Sequence, residues 1–123
     1  MKIVVAKLNK EPYHSLTAKD IKRIFKLVPD NWKSLVTQVV LGAELFSNSR
    51  FDRPVIHSSV SSRLNVLSRG LSKERMVKEV LRELALNGGE AQSGFVNHVP
   101  KTELVKLDLV VEPYINRFFE TEI

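Results

Sequence analysis

The stretch Ser72-Lys-Glu-Arg-Met-Val-Lys-Glu-Val-Leu-Arg-Glu-Leu-Ala-Leu-Asn87, followed by Gly88-Gly89, decides the fold of this chain. Ser72 is a favoured N-cap residue, and Glu74 places a carboxylate in the first turn, where the helix dipole favours negative charge. An apolar stripe with helical spacing follows, and it consists of Met76, Val77, Val80, Leu81 and Leu84. Asn87 and the glycines readily take the left-handed conformation that ends many helices. The stretch therefore predicts a buried central helix over residues 72–87.

The chain before this helix begins with a strand signal and continues with two helix signals. Residues 1–8 are rich in β-branched side chains, which favours a strand. Thr17-Ala-Lys-Asp20 has the pattern of a capping box, and Pro29 ends the helix that it opens. A second helix is predicted to begin at Asp30 and to end near Gly42. Its apolar stripe would consist of Trp32, Leu35, Val36, Val39 and Val40, with Trp32 in the core.

The remaining segments predict a hairpin and a last helix. Residues 55–60 and 63–68 have the alternating or β-branched pattern of two strands that form a hairpin. Residues 90–100 are polar and predict a surface loop. A helix begins near Thr102, and Pro113 is expected to bend or interrupt it because proline lacks the amide and clashes with the preceding turn.

Length and composition predict an α+β fold with about four helices packed on a small sheet. The 123 residues, of which 43% are hydrophobic and 27% charged, suit a single domain over residues 1–123. Apolar stretches are too short for a membrane span or a signal peptide, which favours a cytoplasmic protein. Cysteine is absent, so no thiolate can bind a metal. The nitrogen donors of metal-binding type are His14, His57 and His98, and these have no ligand spacing. We predict neither a metal nor a cofactor.

Residues 82–86 within the central helix read Arg82-Glu83-Leu84-Ala85-Leu86. In the H-E-x-x-H motif, two histidines four residues apart bind zinc from one helix face, and the glutamate takes a proton from the metal-bound water. Glu83 stands at the glutamate position, whereas Arg82 and Leu86 stand at the two histidine positions. Neither of these side chains binds zinc, so the pattern predicts that any metallopeptidase activity has been lost.

The order of elements around this motif resembles a minimal zincin domain, as in the SprT-like or the phage and mobile-element metallopeptidase families. The likeness covers residues 17–120, in which a strand leads into the motif helix and a Gly-Gly stop and a last helix follow. The resemblance implies a zincin-like core and a non-catalytic pseudoenzyme that acts as a binding or regulatory module for a protein partner. In such families a third ligand follows the helix, and His98, Glu103 and Asp108 are the candidates here.

Two alternatives to the pseudoenzyme remain open for residues 82–86, namely an ordinary amphipathic helix and a surviving enzyme. Residues 82–86 are all good helix formers, so an ordinary amphipathic helix also explains them. Under the zincin interpretation, the Arg82 guanidinium would fill the former metal position and pair with a buried carboxylate such as Glu103 or Asp108. A surviving enzyme would need a metal held by carboxylates, which is the least favoured reading because zinc prefers the missing nitrogen ligands.

The net charge of +5 supports a second class of function. A basic surface attracts phosphate backbones, which makes a small nucleic-acid-binding protein the alternative. The candidate contacts are Lys22, Arg23, Arg69, Arg75 and Lys78. A solvated helix face with ion pairs four residues apart explains the same charges.

Near the C-terminus, the apolar residues exceed what one helix stripe needs, which predicts a partner contact or a homodimer. They are Tyr114, Ile115, Phe118 and Phe119.

Overall fold

Four short strands form one mixed sheet in the computed structural model, which describes residues 1–92 and 98–121. The strands are β1 (Lys2–Val5), β2 (Gln38–Leu41), β3 (Val55–Ser58) and β4 (Arg63–Val66). Their order across the sheet is β1-β2-β4-β3; β1, β2 and β4 are parallel, and β3 is antiparallel to β4. Because β3 is an edge strand, one row of its backbone groups faces away from the sheet.

Four helices complete the fold in the described part of the chain. They are α1 (Ala18–Leu27), α2 (Asp30–Lys33), α3 (Lys73–Asn87) and α4 (Lys101–Glu120), and a single 3₁₀ turn covers Phe46–Asn48. The predicted class, an α+β domain with about four helices and a small sheet, is confirmed. No helix among the described residues is long and apolar enough to cross a membrane.

The predicted helix starts and the hairpin are confirmed. The Thr17 hydroxyl accepts a hydrogen bond from the Asp20 amide at 3.1 Å, and the Asp20 carboxylate accepts one from the Thr17 amide at 3.0 Å. The Ser72 hydroxyl caps α3 by accepting from the amide of Arg75. Gly89 has φ +83° where α3 ends, as its sequence pattern predicted. β3 and β4 form the expected antiparallel pair, with Ser62 at φ 51° in the turn.

The predicted second helix is wrong beyond its first turn. The helix α2 ends at Lys33, and Gln38–Leu41 is the strand β2, paired on both sides with parallel strands. Val39 and Leu41 are fully buried, whereas Leu35 is 56% exposed instead of lying on a buried helix stripe. A short apolar run fits a buried strand and a helix equally well, and here the two neighbouring strands decide between them because they satisfy the backbone of β2.

The last helix is continuous, so of the two expected effects of Pro113, a bend or an interruption, the interruption is wrong. The helix α4 runs without a break from Lys101 to Glu120. The carbonyl that Pro113 leaves without an amide belongs to Leu109, whose side chain is 68% exposed, so this side of the helix faces water that can hydrogen bond to the carbonyl.

The C-terminal apolar residues lie on the inner side of α4. Phe118 is fully buried, and Tyr114, Ile115 and Phe119 are half-buried and pack against the core. None of the four is among the exposed large hydrophobic residues in the described part of the chain. These side chains therefore mainly fasten α4 to the domain.

The helix α3 occupies the centre of the domain, as its sequence predicted. It packs against α4, α2 and β3, and its stripe residues are fully buried: Met76, Val77, Val80, Leu81 and Leu84. Trp32 is 1% exposed, lies 4.9 Å from the Tyr114 ring and donates to the Glu90 carboxylate at 3.0 Å. These contacts join α2, α4 and the end of α3 and hold the motif helix in a fixed position against β3.

Candidate functional site

Glu83, the residue at the general-base position of the motif, has its carboxylate in a buried ion pair. Its side chain is 5% exposed. Arg53 donates to both carboxylate oxygens, from Nε at 2.9 Å and from Nη2 at 3.1 Å, and the backbone amide of His57 in β3 donates at 3.1 Å. Three donors engage this carboxylate, so its place in the fold is to join α3 to β3 and to the loop before β3.

The charge state of Arg53 is reinforced by this pair. Burial opposes the charged guanidinium, but the hydrogen bond and the charge of Glu83, helped by Asp52, outweigh burial and raise the pKa of Arg53. A bidentate guanidinium–carboxylate pair is also the strongest geometry available to these groups. Arg53 therefore stays charged beside Glu83, and its two hydrogen bonds engage both carboxylate oxygens.

Arg82, at the first histidine position, is held by two carboxylates. Its Nε donates to Asp108 of α4 at 2.7 Å, and its Nη1 donates to Glu79 at 2.8 Å. Lys78 adds a weaker contact to Asp108 at 3.6 Å. Asp108 is one of the two partners that the sequence indicated, although its side chain is 39% exposed and not buried. The other candidate, Glu103, lies elsewhere.

Glu103 has its own partners on α4 and in the preceding loop. It lies 2.8 Å from Lys106 and accepts from the amide of Gln92 at 3.2 Å. The hydrogen bond from Lys106 is the largest effect and lowers the pKa of Glu103. Burial, the second largest, opposes it, and the Gln92 amide adds a smaller lowering, so the net pKa is below its ordinary value. Glu103 is therefore an acid held in its charged form at the start of α4.

The donor set around the motif does not fit a zinc ion. Among the described residues, no three His, Asp or Glu side chains lie close enough together to hold a metal. His98 has Asp52 at 3.7 Å as its carboxylate neighbour. Arg82 and Leu86 supply no ligand atom, and the nearby carboxylates are neutralised by guanidinium groups. The other two histidines are also engaged, since His14 contacts Ala6 and Ser68, and His57 contacts the carbonyl of Leu35.

A cleft opens between the edge strand β3 and the C-terminal half of α3. Its volume is about 550 Å³. It is lined by Leu35, Arg53, His57, Ser59, Glu83, Leu86, Asn87, Ala91 and Gln92. The Nδ2 atom of Asn87 is buried and has no hydrogen-bond partner within the described part of the chain. The cleft thus has a mainly polar lining in which Leu35, Leu86 and Ala91 are the apolar part, and the unpartnered Asn87 amide is buried in its wall.

The strand β3 presents backbone groups to this cleft. The His57 amide donates to Glu83 and not to β4, so this residue directs its backbone away from the sheet. In an antiparallel strand the amide and the carbonyl of one residue point to the same side. The carbonyl of His57 therefore points away from the sheet, to the same side as the amide that Glu83 occupies.

A second cavity of about 360 Å³ lies on the other side of the Arg53–Glu83 pair. Arg75, Arg82 and His98 lie in its wall, and Leu104 and Leu107 of α4 form part of its apolar lining. Arg53, Glu83 and Leu86 line both cavities, so the ion pair and Leu86 together lie between them.

The five candidate nucleic-acid contacts are distributed over different parts of the fold. Arg23 donates to the carbonyl of Phe118 at 2.6 Å and lies 4.1 Å above its ring. Arg69 donates to the carbonyls of Pro12 and Ala43 at 2.7 and 2.6 Å. These two arginines tie distant segments of the chain together, so their guanidinium groups already have partners.

The other three candidates also differ in their surroundings. Lys78 contacts Asp108 at 3.6 Å, and Arg75 lies 5.7 Å from the Phe46 ring centroid. Lys22 is exposed and lines a third cavity, beside α1, and neither Arg75 nor Lys78 lies in the wall of that cavity. The five residues are therefore not one continuous set of free cations.

Sequence reasoning did not identify Arg53 as part of the site. It lies in a polar stretch that precedes β3, and its partner Glu83 is distant in the chain. Two features of the sequence could have indicated the pair: an arginine next to Pro54, just before a strand, and a glutamate within an apolar helix. Each feature is common by itself, so neither identifies a site.

Comparison of the chain with protein-family models, with curated proteins and with solved structures finds no match.

Proposed function

We propose that this domain is a non-catalytic, zincin-like binding module that holds an extended peptide segment of a partner protein in the cleft between β3 and α3. The observation that carries the proposal is the state of the motif residues. Arg82 and Glu83 have both of their charges satisfied by neighbouring protein groups, and an open cleft lies directly beside them. The domain therefore has an open cleft in which a partner can bind, next to residues 82–86, and these residues lack the ligands for a zinc ion.

The order of elements supports the zincin-like part of the proposal. The hairpin strands β3 and β4 precede the motif helix α3, which ends at Gly88-Gly89 and is followed by α4. This is the order on which the resemblance to a minimal zincin domain rests. Arg82 also pairs with a carboxylate of α4, the helix that follows the motif, where the family takes its third ligand.

The character of the cleft supports an extended peptide as the occupant. Exposed strand edges bind peptides by adding a strand, with backbone hydrogen bonds for affinity and side-chain pockets for specificity. β3 has 4 residues, long enough for a peptide strand of similar length. The side chains of Leu35 and Leu86 offer apolar contacts, and the Asn87 amide, buried without a partner, lies in the same wall.

Selection from a random peptide display library, followed by mapping of a selected peptide, tests the binding surface. We expect amide chemical-shift changes at His57 and Asn87 and a loss of at least about tenfold in affinity for Leu86→Glu, since a charge would enter the apolar wall. Leu109→Glu on the exposed side of α4 is the control and should bind normally. A selected peptide whose shifts map away from β3, or that binds Leu86→Glu normally, contradicts the proposal.

Restoration of the two histidines tests the zincin-like scaffold. The double variant Arg82→His and Leu86→His is expected to bind one zinc ion, because Asp108 already lies 2.7 Å from the Arg82 side chain and would be free to act as a third ligand. The control, Glu74→His with Lys78→His, places the same spacing nearer the start of α3. Zinc titration should give clearly tighter binding for the first pair, and equal affinities would count against the scaffold.

A further inference from the structure

The exposed side of α1 is a purely basic surface. Lys19, Lys22 and Lys26 recur at three and four residues on this helix, and all three are exposed. No carboxylate lies within ion-pair distance of these three ammonium groups among residues 1–92 and 98–121. The one acid within α1, Asp20, is buried and paired with Arg23 and Lys73. The three lysines therefore keep their full attraction for an anion outside the protein.

An apolar pocket of about 330 Å³ lies directly beside these lysines. Lys22 and Lys26 lie at its margin. Met1, which is 59% exposed, contributes most of its apolar surface above the buried Phe25 and Val36. Lys33 closes another side, but its ammonium group donates to the carbonyl of Phe25 and has Asp30 at 3.6 Å. The pocket thus joins an apolar interior to a cationic margin formed mainly by α1.

We propose that this α1 face binds single-stranded nucleic acid. Phosphate groups would contact Lys19, Lys22 and Lys26, which span about 10 Å of helix axis. One base would lie in the pocket against the exposed Met1, above the buried Phe25 and Val36. Proteins that bind single strands combine a cationic track with an apolar or aromatic seat for bases, and both are adjacent here. An acidic protein segment would be attracted by the charges alone and would not need a seat for a planar ring. The inference is independent of the cleft at β3.

The test is the binding of fluorescent oligothymidylate and oligouridylate, measured by anisotropy over a range of salt concentrations. The triple variant Lys19→Gln, Lys22→Gln and Lys26→Gln should bind more weakly. Its plot of log affinity against log salt should be shallower by about 2, since each lost phosphate contact removes roughly 0.7 from the slope. The control, Lys7→Gln, Lys10→Gln and Lys101→Gln, removes the same charge from other exposed positions and should keep the wild-type slope.

Two further probes separate the proposal from general attraction to anions. An oligonucleotide of abasic sites should bind about fivefold or more weakly than oligothymidylate, because stacking of one base contributes about 1 kcal/mol or more. Polyglutamate should compete poorly. Equal losses in the two triple variants, equal binding of the abasic strand or efficient competition by polyglutamate would each overturn the proposal.

Discussion

Replacement of Glu83 by glutamine should be one of the most destabilising single polar substitutions in this protein. The carboxylate accepts from Arg53 twice and from the His57 amide once, and its side chain is only 5% exposed. Glutamine keeps the shape but brings an NH₂ group among these donors. It also leaves the Arg53 guanidinium, 16% exposed, with the more distant Asp52 as its carboxylate neighbour at 3.4 Å.

Loss of one partner from a buried ion pair costs about 3–5 kcal/mol. Because Arg53 retains some contact with water and with Asp52, we expect the lower end, about 3 kcal/mol. For a chain of 123 residues the entropy of unfolding is about 0.26 kcal/mol/K, so the expected decrease in Tm is about 12 °C. A loss of this size is a large part of the free energy of unfolding of an ordinary domain, about 5–15 kcal/mol.

Thermal and urea unfolding followed by circular dichroism measure this loss. The control is Glu112→Gln on the exposed side of α4, which should change the free energy of unfolding by no more than about 0.5 kcal/mol. The double variant Arg53→Met and Glu83→Leu removes both charges and should be more stable than Glu83→Gln. A loss below about 1 kcal/mol for Glu83→Gln, or a double variant less stable than the single one, would refute this account of the pair.

Three further substitutions test other contacts. Gly88→Ala should destabilise the fold by about 1–3 kcal/mol in urea unfolding, because a Cβ atom would lie 2.3 Å from Cδ1 of the buried Trp32; wild-type stability would mean that the indole moves freely. Thr17→Ala removes the cap of α1 and should lower the urea-unfolding free energy by about 1 kcal/mol, with no change expected only if α1 forms independently of its cap. Glu103 has a lowered pKa, so its contact with Lys106 contributes stability above the ordinary value of 4.5 that is lost as the pH falls through the depressed value. Glu103→Gln should therefore have a smaller loss of Tm on acidification than the wild type, and parallel Tm–pH curves would contradict this.

Local signals in the sequence predict the helices that carry the site. The capping box at Thr17, the Ser72 cap and the glycines after Asn87 act through hydrogen bonds and backbone conformation within a few residues, so they are readable without the fold. The buried stripe of α3 is readable in the same way, because apolar residues that recur at helical spacing all lie on one helix face, and that face must pack against the core. The strand β2 was not readable in this way, because its burial between two parallel neighbours is a property of the sheet.

The sequence alone determined that the side chains at positions 82 and 86 cannot bind zinc, and that a central amphipathic helix carries Glu83. Only the tertiary structure decided how these charges are used. It brought Arg53 to Glu83 and Asp108 to Arg82 across long stretches of chain, and it left Lys22 on a face without carboxylates among the described residues. The physical reason is that caps and periodicity act over one or two turns, whereas ion pairs and clefts depend on which distant elements the core packs together.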